Sequence, residues 1–287
     1  YLTDARPLTE LPPVEGMRAL LARLDDGDGI ATALELVAAP TVFTTGLLRL
    51  KAGLAPIAPE AALSHAADTL RMLHGTMPRD EQVTALDRYL VTVADHGLNA
   101  STFAARVVAS TQAGLTSSVL AALSALKGPL HGGAPGPVLD MLDGVGTPDK
   151  AEAWIAAALA GGERLMGFGH RVYRVRDPRA DALKGAVRML AAAGAIDPAR
   201  LALAEAVEAA ALAQLRLRKP DRALDTNVEF YTALLLEALG FPRETFTGVF
   251  AMGRVAGWIA HAREQALTGR LIRPMSVYAG PVPKAAA

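Results

Sequence analysis

The chain of 287 residues contains no cysteine. That excludes a disulfide framework, thiolate catalysis and Cys-ligated zinc or iron–sulfur centres. An excess of either charge is missing too, since 29 Lys and Arg balance 29 Asp and Glu. No global field therefore draws the protein to nucleic acid or to an anionic membrane, and any anion binding must come from local clusters. No uninterrupted apolar run reaches the roughly 18–20 residues of a membrane span, and residues 1–13 lack the basic-then-apolar order of a signal peptide. These absences lead to the expectation of a soluble, cytoplasmic protein that binds neither membrane nor nucleic acid.

Aromatics are scarce at 5%, and β-branched alternation is rare beside abundant Ala and Leu, which favours helix throughout. Val83, Leu86, Leu90 and Val93 recur at spacings of three and four, predicting a helix that ends just before His96. Thr147-Pro148-Asp149 and Asp197-Pro198 read as helix starts, the first with the Thr147 hydroxyl as cap. Gly161-Gly162 and Lys219-Pro220 read as stops. Strand-like alternation is confined to residues 172–176 and 271–278, which would give at most one small hairpin. The expected class is all-α.

The six histidines, His65, His74, His96, His131, His170 and His261, include no pair at the spacing of a helical metal site, so no metal is expected. The glycines of 128–133 and 144–146 are not continued into a phosphate loop, and His-Gly-Gly-Ala at 131–134 has no Gly-x-Ser-x-Gly elbow to serve. Nucleotide-loop and serine-hydrolase readings fall away. What remains is a set of groups suited to carbon-acid chemistry. Glycines beside His131 and His170 leave the imidazoles accessible to a ligand. Arg179, Arg254 and Arg273 suit a small di- or tricarboxylate, because a guanidinium grips carboxylates bidentately and keeps its charge. Glu229, between Val228 and Phe230, would gain the proton affinity of a general base if desolvated. His65, His74 and His261, in helical segments without glycine or arginine company, are expected to be structural.

Four motifs then fall in one order: Ala-Asp-His-Gly-Leu-Asn-Ala-Ser at 94–101, Gly-Pro-Leu-His-Gly-Gly-Ala at 128–134, Gly-Phe-Gly-His-Arg-Val-Tyr-Arg-Val-Arg-Asp-Pro-Arg at 167–179, and Asn-Val-Glu-Phe-Tyr at 227–231. Together with Arg-Leu-Ile-Arg-Pro at 270–274 and Tyr-Ala-Gly-Pro at 278–281, the pattern resembles the citrate synthase family from about residue 30 to Pro281. The resemblance implies a large helical domain, 1–134 and 227–287, with a smaller helical domain, 135–226, inserted between its halves and closing over the active site. It implies condensation of acetyl-CoA with oxaloacetate and water to citrate and CoA, with acetyl-CoA as substrate and no cofactor. Glu229 would be the base, His131 would stabilise the enolate, and His170 would protonate the ketone. His96, His170, Arg179 and Arg254 would hold oxaloacetate, with Arg273 reaching the site of the partner in a homodimer. Leu165, Met166, Gly167, Phe168, Gly169 and Arg174 would bind CoA. The alternatives are a 2-methylcitrate synthase using propionyl-CoA and a non-catalytic paralogue that binds CoA or a carboxylate. Two departures from the family pattern stand out: its usual base is aspartate rather than Glu229, and its members carry a further N-terminal stretch ahead of the matched region.

Overall fold

The structure, a computed structural model, describes residues 1–129, 131–132, 135–169, 177–219 and 224–281. Among these the chain forms twelve α-helices joined by turns and short 3-10 segments. The first six are α1 (Pro13–Leu21), α2 (Ile30–Lys51), α3 (His65–His74), α4 (Asp80–Val93), α5 (Ala100–Ala109) and α6 (Leu115–Leu126). The others are α7 (Pro135–Val145), α8 (Ala151–Ala160), α9 (Pro178–Ala192), α10 (Pro198–Arg218), α11 (Val228–Ala238) and α12 (Phe246–Thr268). The expected all-α class holds.

Local chemistry accounts for most of the boundaries. Ser64, Asn99, Asp177, Asp197 and Asn227 cap α3, α5, α9, α10 and α11, each side-chain oxygen accepting a backbone N–H of the first turn. The prolines after Asp177 and Asp197 take the first helical position, where no N–H is needed. Thr147 departs from expectation. Pro148–Lys150 is a 3-10 turn ahead of α8, and the Thr147 side chain bonds Asp149 instead of capping the helix.

The helices bury two apolar clusters. One gathers Met17, Leu36, Phe43, Leu123 and Trp258 from α1, α2, α6 and α12. The other joins α3 and α4 to α7–α11 through Leu70, Leu86, Leu142, Ile155, Leu183 and Phe230. Each fully buried Leu or Phe contributes about 1.5–3 kcal/mol relative to exposure. The long helix α12 belongs to both clusters and so fixes their mutual placement. By length and composition α2 could cross a membrane, but its Leu36, Phe43 and Leu47 are packed in the core.

The hairpin does not form among the described residues, whose only β-type pairing is an isolated bridge between Phe168 and Thr226. Residues 269–280 follow α12 without helix or strand. Alternation alone makes no strand when no neighbouring strand offers hydrogen bonds. Residues 172–176 lie outside the described part.

Candidate active site

The turn between α4 and α5 carries His96. Asp95 shapes it, Oδ2 accepting the Gly97 N–H at 3.2 Å. Oδ1 meets His261 Nε2 of α12 at 3.1 Å. Arg106 Nε donates to His261 Nδ1 at 3.0 Å, so the imidazole proton sits on Nε2 and points at Asp95. His261 thus has both an arginine and an acid from other elements for company.

Beyond the turn, Asn99 Oδ1 accepts Thr102 N–H at 3.1 Å as helix cap and the Ser101 hydroxyl at 2.7 Å. Ser101 Oγ also takes the Trp258 indole N–H at 3.1 Å and lies 2.8 Å from His131 Nε2. This contact fixes the imidazole and couples its tautomer to rotation of the serine hydroxyl. His131 itself follows α6 in a tight turn, where Gly132 N–H returns to Leu126 O at 2.8 Å. A Cβ at Gly132 would stand 2.6 Å from that oxygen, so only glycine fits.

Glu229 occupies the first turn of α11, its N–H bonded to Asn227 Oδ1 at 3.0 Å. Residues 224–227 are laced to 167–169: Gly169 N donates to Asp225 O, Asn227 N to Gly167 O, and Asn227 Nδ2 to Gly169 O, all at 2.8–2.9 Å. Gly167 has φ +86° and packs where a Cβ would press on Phe230 at 3.0 Å.

These elements enclose a cleft of about 680 Å³, walled by Arg164, Leu165, Phe168, Gly169 and Lys219. A recess of about 100 Å³ lies beside it, lined by Tyr89, Arg179, Phe250 and Arg254 among others. His96, His131 and Glu229 line both spaces and so stand at their boundary.

Arg254 is 1% exposed. Its Nε donates to Val93 O at 2.6 Å, and the guanidinium lies over the Phe250 ring, 4.8 Å from the centroid. Among the described residues no carboxylate pairs with it. Burial, reinforced by Arg179, lowers its pKa to about 10. Arg179 grips Asp177 with two bonds of 2.9–3.0 Å. Burial raises the Asp177 pKa, but the Arg179 hydrogen bonds and charge outweigh this and hold it below the usual range. Burial depresses His131, with the Arg254 charge adding to the effect. Glu229 is pushed up to about 7 by burial, against the opposing pull of Arg164 and Arg179. A carboxyl that gains and loses its proton near neutrality is matched to removing a weakly acidic C–H proton.

Five of the residues singled out in the sequence therefore converge: His96, His131, Arg179, Glu229 and Arg254. Leu165, Phe168 and Gly169 wall the cleft, while Gly167 is buried behind them and Met166 half-buried against the core. Arg273 lies exposed in the segment after α12 and does not line the cleft or the recess. His170 and Arg174 fall outside the described residues. Sequence reasoning missed Ser101 and Trp258 behind His131, Tyr89 and Phe250 in the recess, and Arg164 opposite Glu229. Tyr89 could have been found, three residues after Leu86 on the apolar face of α4. Among the described residues no cluster of His, Asp and Glu could hold a metal ion.

Known proteins share this sequence and fold. The family model described as "Citrate synthase, C-terminal domain" matches residues 2–275. Over 207 residues, 72% of this chain, the sequence is 48% identical to "Putative citrate synthase 2" of Mycobacterium tuberculosis, and it spans 54% of that protein, about half its length. It is 39% identical to a 2-methylcitrate synthase of the same organism, covering 95% of this chain and 70% of that one. A citrate synthase of Thermoplasma acidophilum, solved with carboxymethyl coenzyme A and oxaloacetate, superposes with a TM-score of 0.86 at 29% identity, covering 99% of this chain and 78% of the other. The chain belongs to the citrate synthase family.

Proposed function

We propose that this protein condenses an acyl-CoA with oxaloacetate and releases CoA, with acetyl-CoA as the acyl donor and citrate as the product. One observation carries the reading: Glu229, with a pKa near 7, stands on the boundary between a roomy cleft and a small recess that holds a buried arginine with no carboxylate partner among the described residues. The recess suits a small dicarboxylate, whose charge would supply a counter-ion to Arg254. The cleft suits the longer thioester.

In this scheme the Glu229 carboxylate takes a proton from the carbon beside the thioester. His131 stabilises the charge that develops on the thioester oxygen. The enolate carbon attacks the ketone of oxaloacetate, whose oxygen takes a proton from His170, and water then cleaves the thioester to free CoA. His96, Arg179 and Arg254 orient the oxaloacetate carboxylates, with Arg179 exchanging part of its grip on Asp177 for substrate. CoA lies along residues 165–169 and Arg174. Residues 135–226 act as the closing domain, and closure excludes water before proton removal. The assembly is a homodimer in which Arg273 serves the partner's site, and it works in the cytoplasm.

The relative named 2-methylcitrate synthase favours a second reading, with propionyl-CoA as donor. One methylene in a hydrophobic pocket is worth about 1–3 kcal/mol, so a few side chains decide between the two. The test is CoA release from acetyl-CoA and from propionyl-CoA, each with and without oxaloacetate. Oxaloacetate-dependent release is expected, and the ratio of the two kcat/KM values names the donor. Binding of CoA without release would replace the enzyme by a non-catalytic binding protein.

A further inference from the structure

Glu208 lies in the middle of α10, 4% exposed, and takes no part in the chemistry above. A carboxylate so buried persists as an anion only when donors surround it. Its two oxygens receive them from different places. Oε2 accepts Lys184 Nζ of α9 at 2.6 Å and the Tyr231 hydroxyl of α11 at 2.5 Å, while Lys184 also sits 5.3 Å from the centre of the Tyr231 ring. That oxygen staples three helices of the core. Oε1 accepts the Thr226 hydroxyl at 2.7 Å, and Thr226 is part of no helix.

Thr226 lies fully buried at the centre of the strap 224–227. On one side the strap is laced to the cleft wall through Gly169 N, Asn227 N and Asn227 Nδ2, with Phe168 bridged to Thr226 itself. On the other, Asn227 caps α11 and receives the Glu229 N–H, while Asp177 Oδ2 receives Val228 N–H at 3.2 Å. The wall of the cleft and the base are thus attached to one short segment, and the Thr226 hydroxyl ties that segment to a helix core. Of the recess groups, His96 belongs to the α4–α5 turn and Arg254 to α12, whereas Arg179 stands on α9, which Oε2 holds through Lys184.

We propose that Glu208, acting through the Thr226 hydroxyl, is a positioning residue that sets the placement of the Glu229 carboxylate and of cleft-wall residues 165–169. Through Oε1 it governs the acyl-CoA half of the reaction more than the oxaloacetate half, whose Arg179 meets this segment by way of Asp177. This rests on the condensation reading above and adds to it a separable job for each carboxylate oxygen: Oε2 for stability, Oε1 for geometry.

The variants Thr226→Val, Thr226→Ser and Tyr231→Phe separate the two. Thr226→Val keeps the side-chain shape and removes the hydroxyl. It is expected to raise the KM for acyl-CoA and to lower kcat, by about tenfold in kcat/KM, the scale of one hydrogen bond to a charged group. Oxaloacetate affinity by calorimetry should stay within about twofold of wild type. Amide hydrogen exchange at Gly169, Asn227 and Glu229 should accelerate by about tenfold. Thr226→Ser, which restores the hydroxyl, should recover both readouts. Tyr231→Phe should lower Tm while leaving the kinetic constants within about twofold. A Thr226→Val protein that loses only Tm, with KM, kcat and exchange unchanged, overturns the proposal, as does a loss of oxaloacetate affinity equal to that for acyl-CoA. If wild type releases no CoA, the condensation reading fails. The exchange comparison needs no substrate and still decides whether Oε1 holds the strap.

Discussion

Glu229→Gln should make the protein more stable at alkaline pH while abolishing turnover. The carboxyl has an ordinary pKa of 4.5 and is pushed up to about 7 in the fold, chiefly by burial. Below about pH 4.5 it carries its proton in both the folded and unfolded chains and contributes nothing to pH dependence. Between about 4.5 and 7 the unfolded chain ionises while the folded one retains the proton, so stability falls as the pH rises through this window. Above about 7 the folded protein bears the whole cost of the buried anion. At about 1.4 kcal/mol for each tenfold change in proton affinity, that cost is about 3.5 kcal/mol, an upper figure because one side of Glu229 faces the cleft. Glutamine keeps the shape and never ionises. The variant should therefore exceed wild type by about 2–3 kcal/mol at about pH 8, a Tm rise of about 3–5 °C, and match it within about 0.5 kcal/mol at pH 4.5. Urea and thermal unfolding followed by circular dichroism at both pH values measure this. Equal stability at both, or a less stable variant at pH 8, would refute the claim that Glu229 is desolvated.

The same titration should appear in catalysis: kcat/KM for the acyl-CoA should rise with pH and level off above about 7, since the base works only as the anion, and a flat profile from pH 6 to 8 would count against Glu229. Arg254→Met removes a buried cation that has no carboxylate partner among the described residues, at the expense of one bond to Val93 O. It should leave Tm within a few degrees while weakening oxaloacetate binding by about a hundredfold or more, read by calorimetry. Ser101→Ala takes the acceptor from the Trp258 N–H and the partner from His131, and should cost about 1–3 kcal/mol in unfolding free energy. Its kcat should fall about tenfold or more with oxaloacetate affinity intact, and an unchanged kcat would remove His131 from the acyl step. Glu229→Asp withdraws the carboxylate by one methylene and should lower kcat by up to about a hundredfold in the CoA-release assay.

The parts of this architecture that follow local rules were open to reading in the chain, and those that depend on distant packing were not. The spacing of Val83, Leu86, Leu90 and Val93 predicted α4, because a helix face is set by residues three and four apart. The start of α10 at Asp197-Pro198 needs only a capping oxygen and a fixed φ. Alternation at 271–278 misled for the converse reason, since a strand depends on a partner elsewhere in the chain. The site divides in the same way. Motif order brought His96, His131 and Glu229 forward, and glycine beside histidine announced accessible imidazoles. Nothing local told Arg254 from the arginines on helix surfaces, for its burial comes from Phe250 on one side and from Val93, 161 positions earlier, on the other. Nor could Ser101 and Trp258, 157 positions apart, be linked by any spacing rule. His261 looked bland because Arg106 and Asp95 approach it from other elements. Residue type thus supplies the acids, bases and cations, whereas desolvation decides which of them act. Glu229 becomes a base near neutrality, and Arg254 a cation in need of a carboxylate, only after α4, α11 and α12 have closed water out around them.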